Sequence, residues 1–413
     1  MKKLTSRRQI RGMIFLCAAV YFTSYISRIN FGAVILEIVQ AEGYPRAAVS
    51  VAVTVSFVTY GAGQLASGYL GDKISPRLLI FSGLLVTAVM NFLIPFSPGT
   101  GAMAAIWGIN GFAQAMMWPP LVKIMTNVFT DEVYRRASVR VSWGSSCGTI
   151  AVYLAAPLCI LLSGWKSVFF AASVACVVMS AVWLTACGKV EAQLEQDGAS
   201  PEKADPAETP AGTAFPAGMA PALAGIMAAI VCQGALRDGI TTWMPSFIAE
   251  TYQLGNTVSI LTGVVLPVFS IVCFQLTLWL CERKVRNELL LSGLIFLTGT
   301  ACAVLLRLTA SYQAALSVVL SAALTGCMHG VNLLLICMIP PHFARYGNVS
   351  TVSGVLNSCT YVGSAISIYG TALVSERFGW NAIIAVWAGV ALLGTAICLT
   401  FSKRWERMRQ QSG

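Results

Sequence analysis

Two arginines lie inside long apolar stretches of the sequence. Arg28 lies between the apolar runs 13–20 and 31–36, and Arg237 lies within a second apolar stretch. Each stretch is long enough to cross a membrane, since a hydrocarbon core of about 30 Å needs roughly 20 helical residues. An arginine at that depth is costly unless it faces protein or a water-filled cavity. The planar guanidinium fork fits two oxygens of a phosphate or carboxylate, so the two residues predict an anion-binding site.

Aromatic hydroxyls share a helical face with the first arginine. Tyr21, Tyr25 and Arg28 stand at positions i, i+4 and i+7, which lie on one side of an α-helix. The alternative is a structural role, in which a carboxylate neutralises a buried arginine. Asp238, next to Arg237, is the acid best placed for that role. Because neighbouring helical residues point about 100° apart, we expect Asp238 not to neutralise Arg237.

The composition is that of an integral membrane protein. Of the 413 residues, 56% are hydrophobic and 11% are charged, which is less than half the charged share of a soluble chain. The net charge of +10 does not indicate nucleic-acid binding, because the basic residues lie in short loops between apolar spans. The 13 cysteines lack paired spacing, so we expect neither a disulfide framework nor a metal site. We also expect no cofactor and no enzymatic activity, since no nucleophile is paired with a base.

Apolar stretches of spanning length recur along the whole chain. We predict an all-α membrane protein with twelve transmembrane helices. The predicted spans are 11–35, 48–70, 77–96, 101–126, 138–162, 167–187, 218–247, 257–280, 288–306, 312–338, 348–374 and 379–402. Lysines and arginines concentrate in alternate loops and at both ends of the chain. The positive-inside rule therefore places both termini in the cytoplasm.

A linker divides the spans into two groups of six. Residues 188–217 are rich in Pro, Ala, Gly and acidic residues, which is the composition of a flexible connector. We expect this segment to lie in the cytoplasm. The predicted domains are an N-terminal arm at 1–10, a first half at 11–187, the linker, a second half at 218–402 and a tail at 403–413.

The two halves repeat, which predicts pseudo-symmetry. Four landmarks of the first half recur in the second at nearly equal separations: Arg28 with Arg237, Asp72 with Glu282, Gly164–Trp165 with Gly379–Trp380, and Pro119–Pro120 with Pro340–Pro341. Two parallel six-helix halves are a known transporter design, with the substrate site near the membrane midplane. One arginine from each half could then grip an anion from two sides while the halves rock.

The loop after the second span carries glycines, an acid and bases. It reads Gly68-Tyr-Leu-Gly-Asp72-Lys73-Ile-Ser-Pro-Arg77 and resembles the signature of the major facilitator superfamily. Gly68 allows close packing, whereas an acid near a helix end can pair with bases at a cytoplasmic gate. We assign Asp72, Lys73 and Arg77 to that gate. The corresponding residues of the second half are Glu282 and Arg283.

Four further segments are similar to the organophosphate:phosphate antiporters, the family of glycerol-3-phosphate and hexose-phosphate transporters. The segments are 25–31, 117–120, 236–245 and 353–363. The resemblance implies that Arg28 and Arg237 bind the phosphate of the substrate. It further implies that Tyr21, Tyr25 and Tyr361 line the site.

Three positions depart from that family's pattern. Gln64 stands where the glycerol-phosphate transporters have a lysine, and Cys147 where they have a histidine. Ile29 replaces a lysine that follows the first arginine. We expect Gln64 and Cys147 to line a site that keeps both arginines but has lost other positive or titratable groups. These departures bear on the identity of the substrate more than on the family.

Polar residues at helical spacing mark further candidates. Gln233, Arg237 and Thr241 share a face of the seventh span, and Asn357 and Tyr361 share a face of the eleventh. We expect Gln233 and Asn357 to line the site, although such polar stripes can equally join helices.

Two titratable residues at depth could couple transport to protons. They are Asp238 and His329. We expect exchange rather than proton coupling, because two arginines resist returning empty across the membrane and a phosphate on the return leg neutralises them.

The sequence as a whole predicts a secondary active transporter of a small organic anion. We expect a phosphorylated metabolite such as a sugar phosphate, glycerol phosphate or phosphoglycerate, exchanged for inorganic phosphate by alternating access. The expected setting is the lipid bilayer of a bacterial cytoplasmic membrane, with the protein as a monomer. The alternatives are a proton- or sodium-coupled symporter of an organic acid, and a membrane sensor of sugar phosphate with the same fold.

Overall fold

The computed structural model describes residues 3–196, 219–253, 264–310 and 312–412, and these residues form helices and short connections without any β-strand. Backbone contacts divide the chain into two compact units. The first comprises Met1–Thr213 with Phe343–Val355, and the second comprises Ala214–His342 with Leu356–Gly413. The prediction of an all-α protein is therefore confirmed for the described residues.

Among the described residues, eight helices belong to the first unit. They are α1 (Arg7–Ala33), α2 (Ile35–Glu42), α3 (Arg46–Lys73), α4 (Pro76–Leu93), α5 (Thr100–Gln114), α6 (Trp118–Val128), α7 (Asp131–Ser163) and α8 (Lys166–Gln196). A short 3₁₀ turn, Ile94–Phe96, follows α4. Apolar side chains of α1, α5 and α8 form a core in which the rings of Phe31, Trp107 and Phe169 lie 5.1 to 5.8 Å apart.

The described part of the second unit has five further helices, and the last of them also contributes its first residues to the first unit. They are α9 (Met219–Tyr252), α10 (Val265–Arg283), α11 (Glu288–Thr309), α12 (Ala314–Asn332) and α13 (Val349–Ser412). A buried π-helical turn, Leu333–Met338, continues α12, and a 3₁₀ segment, Pro340–Tyr346, follows it. Gly379, with φ 71° and ψ 178°, interrupts α13 and separates the two spans predicted there.

Ten helical segments within the described ranges are long and apolar enough to cross a membrane. They correspond to ten of the twelve predicted spans, which is consistent with a twelve-span protein. The predicted span 348–374 is helical but is not among the ten. Its recurring serine, threonine and asparagine residues make it less apolar than the other spans.

The prediction of a single helix over 101–126 is wrong. The structure has two helices there, α5 and α6, with a break at Ala115-Met116-Met117. Pro119 and Pro120 explain the break, because a proline inside a helix lacks the N–H donor and its ring clashes with the preceding turn. Prolines are tolerated in the first turn, where α6 places them.

Helices continue past two predicted domain boundaries. The linker was predicted to begin at 188, but α8 extends to Gln196 because the intervening Lys, Glu, Ala, Gln and Leu residues favour a helix. Residues 197–217 of the predicted linker lie outside the described residues. At the other end of the chain, α13 runs through the predicted tail to Ser412.

Glycines allow two pairs of helices to approach closely. In the first unit, a Cβ atom added at Gly144 would lie 2.5 Å from the Ala18 carbonyl oxygen, and one at Gly148 2.8 Å from that of Phe22. In the second unit, a Cβ atom at Gly363 of α13 would overlap the backbone of α9 at Val231. Small residues permit such backbone contact in membrane proteins, so Gly144 and Gly148 are packing residues.

Candidate functional site

Arg28 lies in a cluster of aromatic rings within the first unit. Its guanidinium carbon is 4.2 Å from the ring centroid of Tyr25 and 4.7 Å from that of Tyr60. The Tyr21 ring lies 5.2 Å from Tyr25 and 4.9 Å from Trp118. Cation–π contact orients a guanidinium without neutralising its charge. The structure therefore brings Arg28 together with both tyrosines predicted from the helical face.

A buried network of polar side chains holds the other side of α1. The Ser24 hydroxyl donates to Gln114 Oε1 at 2.5 Å, and Gln114 Nε2 donates to the Ser27 hydroxyl at 2.9 Å. The Ser27 carbonyl accepts hydrogen bonds from the side-chain amides of Asn91 at 3.1 Å and Asn110 at 3.2 Å. These amides come from α4 and α5, so they tie α1 to two neighbouring helices.

The same network extends to Asn30, two residues after Arg28. Asn30 Nδ2 donates to Asn91 Oδ1 at 2.8 Å, while Asn30 Oδ1 accepts from the Phe31 backbone N–H at 3.0 Å. Asn30 and Asn91 have no exposed surface. A bond between buried side-chain amides depends on geometry, so the network fixes the rotation of α1 about its axis. Arg28 is thereby directed away from the network.

Two other predicted residues of the first unit lie in different surroundings. Gln64 is fully buried in α3, and its side-chain amide donates to the Ala115 carbonyl at 3.5 Å, at the break between α5 and α6. Cys147 is exposed on α7 and precedes Gly148, which packs against Phe22 and Tyr25 of α1. Their roles at the site remain predictions.

The signature loop forms an ionic cluster at the start of α13. Asp72 accepts hydrogen bonds from the backbone N–H groups of Ser350 at 3.1 Å and Thr351 at 2.7 Å. Lys123 Nζ lies 3.4 Å from the Asp72 carboxylate and donates to the Gly71 carbonyl at 3.0 Å. A carboxylate stabilises the N-terminus of a helix because the N–H groups there lack helical partners.

Other members of the signature have separate partners. A Cβ atom at Gly68 would lie 2.8 Å from the Ser350 carbonyl oxygen, so that position requires a glycine. Lys73 Nζ lies 4.5 Å from the ring centroid of its neighbour Tyr69. Arg77 pairs with Glu191 of α8 at 3.0 Å. In the second unit, Glu282 and Arg283 end α10, with Arg283 exposed.

Arg237 is held by the acid next to it, contrary to the prediction. Arg237 Nε lies 2.6 Å from Asp238 Oδ1, and a terminal guanidinium nitrogen lies 2.9 Å from Oδ2. The prediction compared only the directions of the Cα–Cβ bonds on adjacent helical residues. An arginine side chain is long enough to bend back around the helix, so its guanidinium can reach a neighbouring carboxylate. Asp238 therefore does neutralise Arg237 in this structure.

The pair is also connected to another helix of the second unit. The Ser364 hydroxyl of α13 donates to Asp238 Oδ2 at 2.5 Å. The His329 ring of α12 lies 5.4 Å from that of Phe274. The structure thus brings Arg237 and Asp238 together, whereas a coupling role for His329 stays a prediction.

The remaining candidates of the second unit are at least partly buried. Gln233 has no exposed surface, and its side-chain amide donates to the Met328 carbonyl of α12 at 3.2 Å. Its Oε1 has no hydrogen-bond partner among the described residues. Asn357 is buried, whereas Tyr361 is half-buried on α13. All three stay predictions as lining residues.

Several residues of these clusters were not predicted from the sequence. Helical periodicity could not identify three of them, because each lies on a different helix from the residue that it contacts. They are Tyr60, Trp118 and Lys123. A lone lysine in an apolar span is itself a signal, and it could have identified Lys123. Isolated amides in apolar spans could likewise have identified the network of Asn91, Asn110 and Gln114.

Similarity to known proteins extends over most of the chain. The family model described as Major Facilitator Superfamily matches residues 17–368. A probable hexose phosphate transport protein of Chlamydia muridarum is 24% identical over 161 residues, 38% of this chain and 35% of that protein. The glycerol-3-phosphate transporter of Bacillus subtilis is 25% identical over 180 residues, 42% of this chain and 40% of that protein.

A third relative is named as a sensor. The membrane sensor protein UhpC of Salmonella typhimurium is 31% identical over 120 residues, 29% of this chain and 26% of that protein. The matched part of the chain thus spans less than half the length of each of these relatives. They confirm the resemblance to organophosphate:phosphate antiporters. With a signature loop at the end of α3 and a family match that extends from α1 into α13, the chain belongs to the Major Facilitator Superfamily.

Proposed function

We propose that this protein is a secondary active transporter of a small phosphorylated organic anion, which it exchanges for inorganic phosphate by alternating access. The observation that carries the proposal is one arginine in a membrane-spanning helix of each unit, Arg28 in α1 and Arg237 in α9. The two positions correspond in the sequence repeat. The names of two relatives, a hexose phosphate transport protein and a glycerol-3-phosphate transporter, support the substrate class.

The chemistry of the first arginine suits a phosphate. Tyr25 and Tyr60 hold the guanidinium of Arg28 by their ring faces. Contacts of this kind orient the guanidinium by its face, whereas its N–H edges are the groups that form charge-assisted hydrogen bonds with a phosphate. The amide network fixes the rotation of α1, and the two tyrosine rings contact the guanidinium of Arg28, so less of the side chain has to be ordered when the anion binds.

Two neutral residues are proposed to tune the choice of substrate. Gln64 and Cys147 replace a lysine and a histidine of the glycerol-phosphate transporters. A site without those groups carries less positive charge. Binding is then decided by the phosphate group of the substrate and by the size of its organic part. Sugar phosphates, glycerol phosphate and phosphoglycerate are all within this class.

A sensor is the second candidate, because the relative with 31% identity is a membrane sensor protein. A sensor would bind a sugar phosphate through the same arginines without moving it across the membrane. Uptake by the purified protein in vesicles separates the two functions. A proton- or sodium-coupled symporter of an organic acid would instead move a carboxylate and need no phosphate on the other side.

The proposed setting is the cytoplasmic membrane of a bacterium, with both termini in the cytoplasm and the protein acting as a monomer. The concentration of lysine and arginine in alternate loops supports this orientation.

Thermal-shift measurements on the purified protein test the substrate class. A ligand that binds only the folded state raises the unfolding temperature in proportion to the logarithm of its concentration. We expect glycerol-3-phosphate, glucose-6-phosphate, 3-phosphoglycerate or inorganic phosphate to stabilise the protein, and lactate and succinate to have little effect. Stabilisation by the carboxylic acids alone would refute the proposed substrate class and favour the organic-acid symporter.

A further inference from the structure

Asp238 occupies the part of Arg237 that would bind a phosphate. Two guanidinium nitrogens of Arg237 contact the two carboxylate oxygens of Asp238, at 2.6 and 2.9 Å. This two-point contact is the same geometry with which arginine binds a phosphate. The side chains are only 14% and 20% exposed, so solvent screens the pair weakly. A phosphate cannot use this face of Arg237 while the carboxylate is there.

A second helix holds the carboxylate in this position. Ser364 of α13 donates its hydroxyl hydrogen to Asp238 Oδ2, the oxygen that also accepts from the guanidinium. The Thr360 carbonyl, 2.8 Å from Ser364 Oγ, competes with Asp238 for the same hydroxyl hydrogen. The paired state of Arg237 therefore depends on residues of both α9 and α13.

The two arginines consequently differ in their described partners. Arg28 contacts the faces of two tyrosine rings. Arg237 contacts a carboxylate, which cancels its charge.

We propose that Asp238 is a built-in counter-anion, whose carboxylate holds Arg237 in the empty carrier and has to release it when the substrate phosphate binds. The inference rests on the proposed function and adds to it a residue that sets how strongly an anion must bind to engage Arg237. An internal competitor lowers the apparent affinity of every anion by the fraction of molecules in which Arg237 is released. A phosphate has up to two charges and three acceptor oxygens and can displace the carboxylate, whereas a weakly binding monocarboxylate cannot.

A purely structural role for Asp238 gives different expectations. In that case the contacts of Asp238 with Arg237 and Ser364 would only join α9 to α13. Removing the charge of Asp238 would then lower stability and would not strengthen anion binding. The two roles are therefore separated by the direction in which the affinity for phosphate changes.

The test measures inorganic phosphate binding by isothermal titration calorimetry on the purified full-length protein. The variants are Asp238→Asn, which keeps the shape of the side chain but not its charge, and Ser364→Ala, which removes one donor to the carboxylate. Asp131→Asn is the matched control, because it removes an exposed carboxylate at the start of α7. We expect Asp238→Asn to lower the Kd for phosphate by about tenfold. Ser364→Ala should lower it by a smaller factor, and the control should not change it.

Unchanged or weaker phosphate binding by Asp238→Asn would overturn the inference while leaving the proposed function intact. If that variant does not fold, unchanged or weaker binding by Ser364→Ala overturns it equally. Failure of the wild type and of both variants to bind phosphate, glycerol-3-phosphate or glucose-6-phosphate would overturn the proposed function and the inference with it. Binding that is detectable only after Asp238→Asn supports both.

Discussion

At the scale of single residues, two arginines in different surroundings distinguish the two units. Arg28 is held by aromatic rings, and Arg237 by a carboxylate. The depth of both residues was predicted from the length of the apolar sequence around them. The pairing of Arg237 with Asp238 was not predicted, because spacing along a helix does not determine where a long, flexible side chain ends.

The first prediction concerns the geometry of the two guanidinium groups. We expect Arg28→Lys and Arg237→Lys each to reduce phosphate-driven uptake by at least tenfold, with normal expression and membrane insertion. Lysine keeps the positive charge but lacks the planar fork that binds two oxygens at once. Uptake of labelled glycerol-3-phosphate by cells or vesicles measures the effect.

Arg11→Lys is the matched control for these substitutions. Arg11 is exposed near the start of α1 and lies away from the described contacts of Arg28. It should tolerate lysine without loss of uptake. Near-normal uptake by Arg28→Lys or Arg237→Lys would mean that the arginine concerned serves the structure and does not bind substrate.

At the scale of helices, glycines and amides determine how the arginine-bearing helices are placed. Two glycines of α7 pack directly against the backbone of α1, with no side chain in between. Gly363 of α13 packs against the backbone of α9 in the same way. The four-residue spacing of Gly144 and Gly148 is typical of such close packing. The amide network around Ser27 was not predicted, since it joins residues of three helices that are far apart in the sequence.

The second prediction compares two glycines of the same helix. A Cβ atom at Gly363 would overlap the backbone of α9, whereas one at Gly370 would meet no atom within 4 Å. We expect Gly363→Ala to lower the unfolding temperature by several degrees, because helices that are packed backbone to backbone have to separate. Gly370→Ala should be neutral or slightly stabilising, since alanine favours a helix by about 1 kcal/mol over glycine.

Thermal unfolding of the purified variants, followed by intrinsic fluorescence, provides the comparison. Equal unfolding temperatures for the two alanine variants would show that α9 and α13 do not depend on this close contact.

At the scale of the whole molecule, the repeat of the sequence is accompanied by a repeat of local structure. Gly164 has φ 75° and ψ 175°, and Gly379 has φ 71° and ψ 178°. Each is followed by a tryptophan and separates two long helices. The pairing of these two turns was predicted from the sequence, and their matching conformation supports the two-halves organisation.

Hydropathy predicted most of the helices but not their interruptions. The break at 115–117 depends on two prolines within an apolar stretch, and hydropathy alone does not register them. The helical ends of α8 and α13 extend into charged sequence that composition assigned to linker and tail. Such extensions depend on helix propensity rather than on hydropathy.

The third prediction concerns membrane topology. We expect reporter domains fused after Lys189 or after Gly413 to be cytoplasmic, and one fused after Pro98 to be outside. The reason is the concentration of lysine and arginine in one set of loops. Enzymatic reporters that are active on only one side of the membrane give the answer, and a C-terminus outside the cytoplasm would refute two parallel six-helix halves.

Under the proposed function the protein exchanges phosphorylated anions and does not return across the membrane without a bound anion. The most direct measurement is uptake of radiolabelled inorganic phosphate into proteoliposomes, with and without unlabelled phosphate inside, in the absence of a proton gradient. Under the proposed function Arg28 binds the phosphate through its planar fork, which lysine lacks. We predict uptake only into phosphate-loaded vesicles, and its loss in Arg28→Lys. Uptake into empty vesicles that follows an imposed pH gradient, and that is lost in Asp238→Asn, would contradict exchange and establish proton symport.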